Sequence, residues 1–241
     1  MHARCGPGRT RATLAIIATL ALAAFAAAPT VSAGPSPAQS TLADLRDSAA
    51  PCPAEAAHCF GLILHVAPGA DGGLVQGPDW LAAQLARANQ LFAPLGVGFT
   101  IAEVRALDRT EAIILTRDQR NHIGRRRFTR GEIHVFLVER LGNIDDTDTD
   151  INGVHWRTRR GRWVMLSSTA WDLTLGHELG HFFGLPHSEV EASVMNTSAR
   201  TFAPASRGFQ PDELTRMRAG LKRMLRDRSL RDRVRPPIRG R

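Results

Sequence analysis

The apolar positions of the chain follow two periods. Phe60 to Val66 and Ile133 to Val138 are near-continuous apolar runs, the pattern of strands buried on both faces. Val97 to Val104 alternates, with Val97, Phe99 and Ile101 set against Thr100 and Ala102, and predicts another strand. Val154-His155-Trp156 and Trp163 to Leu166, joined by the basic turn Arg157 to Arg162, read as a hairpin. Helical spacing governs Leu81, Leu85, Ala88 and Phe92, with Asp79 as the expected cap and Pro94 as the stop. It returns after Pro211 in Leu214, Met217, Leu221, Met224 and Leu225. Leu42 to Asp47 allows one short helix, and Asp108 to Arg130 reads as a charged connection without a clear period. No internal repeat is present. Interleaved strands and helices of this kind predict an α/β (α+β) domain built on a mixed sheet.

One more helix is expected, opened by Thr169 with Asp172 three residues on as a capping pair. It carries His177-Glu178-Leu179-Gly180-His181, followed by Phe182-Phe183-Gly184-Leu185-Pro186-His187. On a helix His177 and His181 lie one turn apart on one face, so both imidazoles can reach a single ion. Gly184 can end the helix in the left-handed conformation that a side chain resists, and the chain can then return His187 as a third ligand. Three protein nitrogens and an open fourth position make a catalytic zinc site; structural zinc sites are closed by four protein ligands. Glu178 is placed to hold and deprotonate a water on that zinc, and would pass the proton on to a leaving amine. With 21 Gly and 9 His in 241 residues, chance supplies the Gly and third His of the longer motif only roughly once in 300 bare motifs.

Met195 follows in Ser193-Val194-Met195-Asn196. The whole pattern, His-Glu-x-x-His-x-x-Gly-x-x-His and then a Met-turn, resembles the metzincin clan of zinc metallopeptidases. That resemblance implies a two-lobed catalytic domain, with a mixed twisted sheet, an active-site helix and a C-terminal helix that closes it. It makes Met195 a hydrophobic floor under the metal and peptides or proteins the substrates. Ser188 after the third histidine and the short gap to Met195 suit the matrixin-like members, and a less typical metzincin branch fits nearly as well. Astacins and serralysins place a tyrosine two residues after the methionine. This chain has Thr197 there and no tyrosine at all, so oxyanion stabilisation must come from zinc, backbone or another side chain. Substrate is expected as an added antiparallel strand on an exposed sheet edge, with Gly153 to Arg157 as the candidate edge. A module of the same fold that binds zinc or peptide without turnover is the alternative, and the presence of Glu178 speaks against it.

Composition adds a compartment. Arg4, Arg9 and Arg11 precede an apolar run from Leu14 to Ala28, and Val31-Ser32-Ala33 offers small residues for cleavage. This predicts a signal peptide over 1–33, export, and no membrane anchor once it is removed. A leader or short pro-segment is expected over 34–58, the catalytic domain over 59–210, and the closing helix with a basic tail over 211–241. In an exported monomer, Cys52 and Cys59 are most simply a disulfide. The formal charge of +8 is concentrated at the end, where Leu214 to Arg241 holds eleven basic and two acidic residues. No nucleic-acid motif accompanies them, so a solvated helix and tail is expected, with no specific nucleic-acid partner. His58, His65, His122 and His134 have no metal spacing among themselves and read as core or surface residues. Asp145, Asp146, Asp148 and Asp150 crowd six residues, and matrixins carry structural calcium in loops before the zinc helix. Ile151 and Arg157 replace the glycine and closing glutamate of an EF-hand, which leaves an irregular calcium site or a bare acidic loop.

Overall fold

In the computed structural model of the chain, which describes residues 40–48, 50–198 and 206–234, the apolar runs become one five-stranded sheet. The expected signal peptide and the end of the basic tail lie outside the described residues. In chain order the elements are α1 (Leu42–Asp47), β1 (His58–Val66), α2 (Pro78–Phe92), β2 (Val97–Ala106), β3 (Ile113–Ile114) and α3 (Arg117–Arg127). Then follow β4 (Ile133–Val138), β5 (Arg140–Leu141), β6 (Gly153–Arg157), β7 (Arg162–Ser167), α4 (Thr174–Phe182) and α5 (Pro211–Arg226). The sheet order is β2-β1-β4-β7-β6, and β3 with β5 forms a small second ladder. The first four strands are mutually parallel, and β6 alone runs antiparallel, against β7. The sheet is therefore mixed, with β6 at one edge.

Alternation along the strands sorts the interior into two layers. Phe60, Leu62 and Leu64 of β1, Ile133, Val135 and Leu137 of β4, and Val164 and Leu166 of β7 form one core with α1, α2, α4 and α5. Phe136 and Val138 of β4 and Trp163 and Met165 of β7 face the other way, against Ile123 of α3. Burying each such side chain stabilises the fold by about 1.5–3 kcal/mol. Both layers carry it.

Several boundaries differ from the sequence expectations. Asp79 is not the cap of α2; Gly77 holds that position, with Pro78 at the first helical residue and Asp79 in the first turn, where its charge suits the helix dipole. The helix gives way to a short 3-10 turn through Pro94, closed by Gly96 at φ 67°. The charged connection contains α3, capped reciprocally by Thr116 and Gln119. Only Arg120, Ile123 and Gly124 of that helix are buried, a strip too narrow to show as an apolar period. The stretch expected to be an exposed leader packs α1 onto the domain, with Leu45 fully buried in the larger core. Its disulfide, Cys52 to Cys59, is formed.

The basic tail is not wholly solvated either. Asp232 is buried and accepts hydrogen bonds from His58 Nδ1 at 2.6 Å and from the Cys59 amide at 3.1 Å. The Arg233 amide donates to the Cys59 carbonyl and the Arg231 amide to the Gly131 carbonyl. Residues after α5 thus clip the start of β1. Among the described residues, no helix is long and apolar enough to cross a membrane.

Candidate metal centre

α4 is only nine residues long, and its composition decides which way it faces. Leu175, Leu179 and Phe182 recur at helical spacing and enter the larger core, which leaves His177 and His181 on the opposite face. Thr169 does not cap the helix. α4 starts at Thr174 after Leu173, and the Thr174 hydroxyl accepts from the Trp171 amide instead. Thr169 is turned to Asn152 and Ser167.

The C-terminus behaves as the sequence requires. Gly184 takes φ +103°, the Gly184 amide donates to the His181 carbonyl, and the Leu185 amide donates to the Gly180 carbonyl. That paired pattern is a Schellman turn, and it needs the left-handed residue that glycine supplies without strain. The turn also aims the Leu185 carbonyl back at the helix, where it accepts from His181 Nδ1 at 2.7 Å. His177 Nδ1 donates to the Val194 carbonyl at 2.8 Å. With the proton of each neutral ring fixed on Nδ1, both Nε2 atoms present lone pairs. Burial holds both imidazoles below their usual pKa, His181 down to about 4, so the neutral, metal-ligating form is favoured.

His187 arrives beyond the turn. One nitrogen from each of His177, His181 and His187 lies within 4.8 Å of the others, and this is the one such convergence of His, Cys, Asp or Glu among the described residues. Three imidazoles gathered at one place, two of them oriented by backbone carbonyls, fit a zinc ion.

Met195 lies under this group and is fully buried. A Cβ on Gly180 would fall 2.5 Å from its Sδ, so the residue just before His181 must be small for the thioether to sit there. The Met195 amide donates to Ser193 Oγ at 2.9 Å, and Ser193 Oγ donates to the buried Glu213 carboxylate at 2.7 Å. Glu213 also caps the start of α5 through the Gln210 amide. The closing helix and the methionine turn are therefore one hydrogen-bonded unit.

Glu178 faces the other wall of the site. It is 5% exposed, and burial pushes its carboxyl up to about 8, opposed by the His155 amide and by the positive charge of Arg120. A divalent ion at the triad would add to that opposition. β6 crosses directly over it, since a Cβ on Gly153 would come 3.0 Å from Glu178 Oε1. The triad, Glu178, Gly153 and His155 line one cleft of about 810 Å³, whose far side is formed by Val194, Asn196 and Arg207. His155 Nε2 is buried and has no hydrogen-bond partner among the described residues.

The Ser193–Glu213 link and Arg120 were not predicted as site residues. Serine before a methionine carries no distinctive spacing, and Arg120 lies in the helix that the charge pattern conceals. The four aspartates of the acidic loop do not converge. Asp150 pairs with Arg140 at 2.7 Å, and Asp146 accepts from the Asp148 amide and Thr149 within its own turn. The calcium expectation gains no support from this arrangement. His65 and His134 are fully buried, as expected for core residues, and His58 is held by Asp232.

Two solved structures superpose in part on the chain. Metalloproteinase-II from Bacteroides fragilis aligns over 70% of this chain and 55% of its own, at 17% identity and a TM-score of 0.47. Archaemetzincin from Methanopyrus kandleri aligns over 68% of this chain and 96% of its own, at 17% identity and a TM-score of 0.46. The chain thus spans about half the length of the Bacteroides protein. No family model and no curated protein matches the sequence. By its own architecture, the chain is a mixed α/β protein with a three-histidine cluster beside the edge of its sheet.

Proposed function

We propose that the chain is an exported zinc endopeptidase of metzincin type. One observation carries this reading: three histidines and a buried glutamate line a single cleft whose roof is an unpaired strand edge. His177, His181 and His187 would hold the ion. When bound there, zinc supplies Lewis acidity, which polarises a carbonyl and acidifies water. Glu178 accepts the proton of the attacking water and returns it to the departing amine. Burial favours its neutral form, the His155 amide and Arg120 work against that, and a divalent ion at the triad would add to them. β6 receives the substrate backbone as a further antiparallel strand.

In a chain without tyrosine, His155 supplies the side-chain donor toward the developing oxyanion, from a ring that lines the cleft beside Phe182. Matrixin-like kinship rests on Ser188 and the short spacing to Met195. Export rests on the basic and apolar start of the sequence, and the Cys52–Cys59 disulfide suits an oxidising compartment.

The test is metal analysis and casein hydrolysis on one preparation, with Glu178→Gln beside it. One zinc per chain and cleavage that the variant lacks are expected. Stoichiometric zinc without cleavage of any of a broad set of peptides would leave only a binding module.

A further inference from the structure

Past His155, β6 ends in a different chemistry. Arg157, Arg159, Arg160 and Arg162 of the β6–β7 hairpin share a second pocket, of about 510 Å³, with Arg130 and Arg223. The carboxylate in its lining is Glu132, which is already shared between Arg233 at 3.3 Å and Arg231 at 3.7 Å. Arg130 donates to a backbone carbonyl, that of Asp227, and Arg162 donates to the Phe182 carbonyl while lying over the Phe182 ring. Arg157, Arg159, Arg160 and Arg223 are exposed and form no ion pair among the described residues. Burial holds Arg162 below the usual guanidinium range; the Asp227 carboxylate opposes this, and Arg157 and Arg223 add to it. A concave surface with this much uncompensated positive charge attracts anions.

We infer that this pocket binds acidic side chains of the peptide lying on β6, on the N-terminal side of the bond to be cut. The inference rests on the peptidase reading for its register. Gly153, His155 and Arg157 share one strand face by the two-residue period, and the first of them touches Glu178. Arg157 is four residues beyond Gly153, roughly 13 Å along the strand at the usual rise. A peptide antiparallel to β6 runs toward its N-terminus as β6 runs toward Arg157. Acidic residues about three to five positions before the bond therefore meet the arginines, each presenting the planar fork that suits a carboxylate. The neighbouring strand edge offers backbone hydrogen bonds to a peptide and has no equivalent use for a nucleic acid, which favours the peptide as occupant.

The experiment pairs peptides that differ only in Glu or Gln at those positions, and a second pair altered on the C-terminal side. Zinc-loaded full chain should cut the N-terminal acidic peptide about tenfold faster in kcat/KM, and the ratio should shrink in high salt. In Arg157→Gln/Arg160→Gln the ratio should fall toward one. Cleavage with equal rates, or with a preference for acid on the other side, would overturn the inference and leave the peptidase reading intact. Binding is read separately, by fluorescence anisotropy of the same peptides on Glu178→Gln. If nothing is cut by wild type but acidic peptides still bind through Arg157 and Arg160, the pocket stands and the peptidase reading falls. A single-stranded oligonucleotide that binds the pocket while acidic peptides do not would assign it to nucleic acid and overturn the inference.

Discussion

The two faces of the sheet solve the same burial problem with opposite materials. On the face toward α4, the strands present Phe60, Leu62, Leu64, Val135 and Val164, and the covering helices answer with leucines and phenylalanines. His177 and His181 lie beyond that layer, on the outer side of α4. On the face toward α3, the interior holds ionisable groups. His65 and His134 are stacked and bonded at 2.9 Å, and Arg120 is 1% exposed against Trp156. The first face is a plain apolar foundation that leaves its chemistry free to act. The second hides its chemistry inside, where burial itself sets the charge.

The sharpest way to test the first half of that contrast is to remove its chemistry and leave its packing. Glu178→Gln should lower peptide turnover by ~10²–10⁴-fold while zinc content stays stoichiometric, because the three histidines are untouched. His187→Ala should lose both metal and turnover, since two histidines leave the site incomplete. Metal analysis and initial rates on the two variants decide it. Wild-type turnover in Glu178→Gln would remove that residue from the mechanism.

The second face predicts acid sensitivity. The Thr129 amide donates to His134 Nε2, so His134 carries its proton on Nδ1 and donates it to His65 Nε2. His65 Nδ1 then holds a buried proton with no partner among the described residues. Burial above all lowers His65 to about 3 and His134 to about 4. Both folded values lie below the ~6.5 of an unfolded histidine, so the unfolded chain binds protons first as pH falls. The stability is complete above ~6.5 and is lost on descending toward the folded values, at about 2 kcal/mol per histidine by pH 5. Urea midpoints measured from pH 7 to 5 should fall accordingly, and more steeply than in a variant with both histidines replaced by phenylalanine. Parallel profiles for the two proteins would show that this pair stays solvated.

These faces also differ in how far a reader of the sequence could see them. Continuous apolar runs betray β1 and β4 because parallel strands are buried on both sides, and spaced leucines betray α2 and α5. The three-histidine cluster was legible because three positions and a left-handed glycine are fixed by helix geometry within eleven residues. α3 was not legible. It covers its face with an arginine, an isoleucine and a glycine, and Gly124 lets Trp163 lie against the helix backbone. Nor were the contacts that join distant segments, such as Glu213 with Ser193 or Asp232 with His58, since only the folded chain sets those pairs side by side. The caps differ for a smaller reason: α2 starts at Gly77-Pro78, two residues before Asp79 can cap it, and α4 opens at Thr174 after Leu173 with no side-chain cap.

Within the first face, packing under the histidines should be felt as stability. Gly180→Ala places a methyl group against Met195 Sδ and Phe209, both held in the core cluster. Forcing that fit should cost about 1–3 kcal/mol, read as a lower urea midpoint. Gly184→Ala meets no atom within 4 Å, so its cost comes from the left-handed backbone alone, about 1–2 kcal/mol. An unchanged midpoint for Gly180→Ala would mean the methionine moves aside without loss, and its place under the histidines would need no small residue.

The smallest effect belongs to the acidic loop, which lies on neither face. Its aspartates would gain most from a cation if their carboxylates turned toward one point, since mutual repulsion would then be relieved at a stroke. They do not turn that way. Asp150 is taken by Arg140, Asp146 closes a turn with Asp148 and Thr149, and Asp145 has its amide held by Asn143. The Arg140–Asp150 pair is about half exposed on both sides, and such pairs stabilise by ~0–1 kcal/mol. Millimolar calcium should therefore shift the melting temperature of zinc-loaded protein by less than about 1 °C, and replacing all four aspartates with asparagine by only a few degrees. A calcium-dependent rise of five degrees or more that the asparagine variant lacks would show that the loop rearranges around an ion. It would also set a metal site of oxygen ligands beside the nitrogen ligands that the three histidines offer.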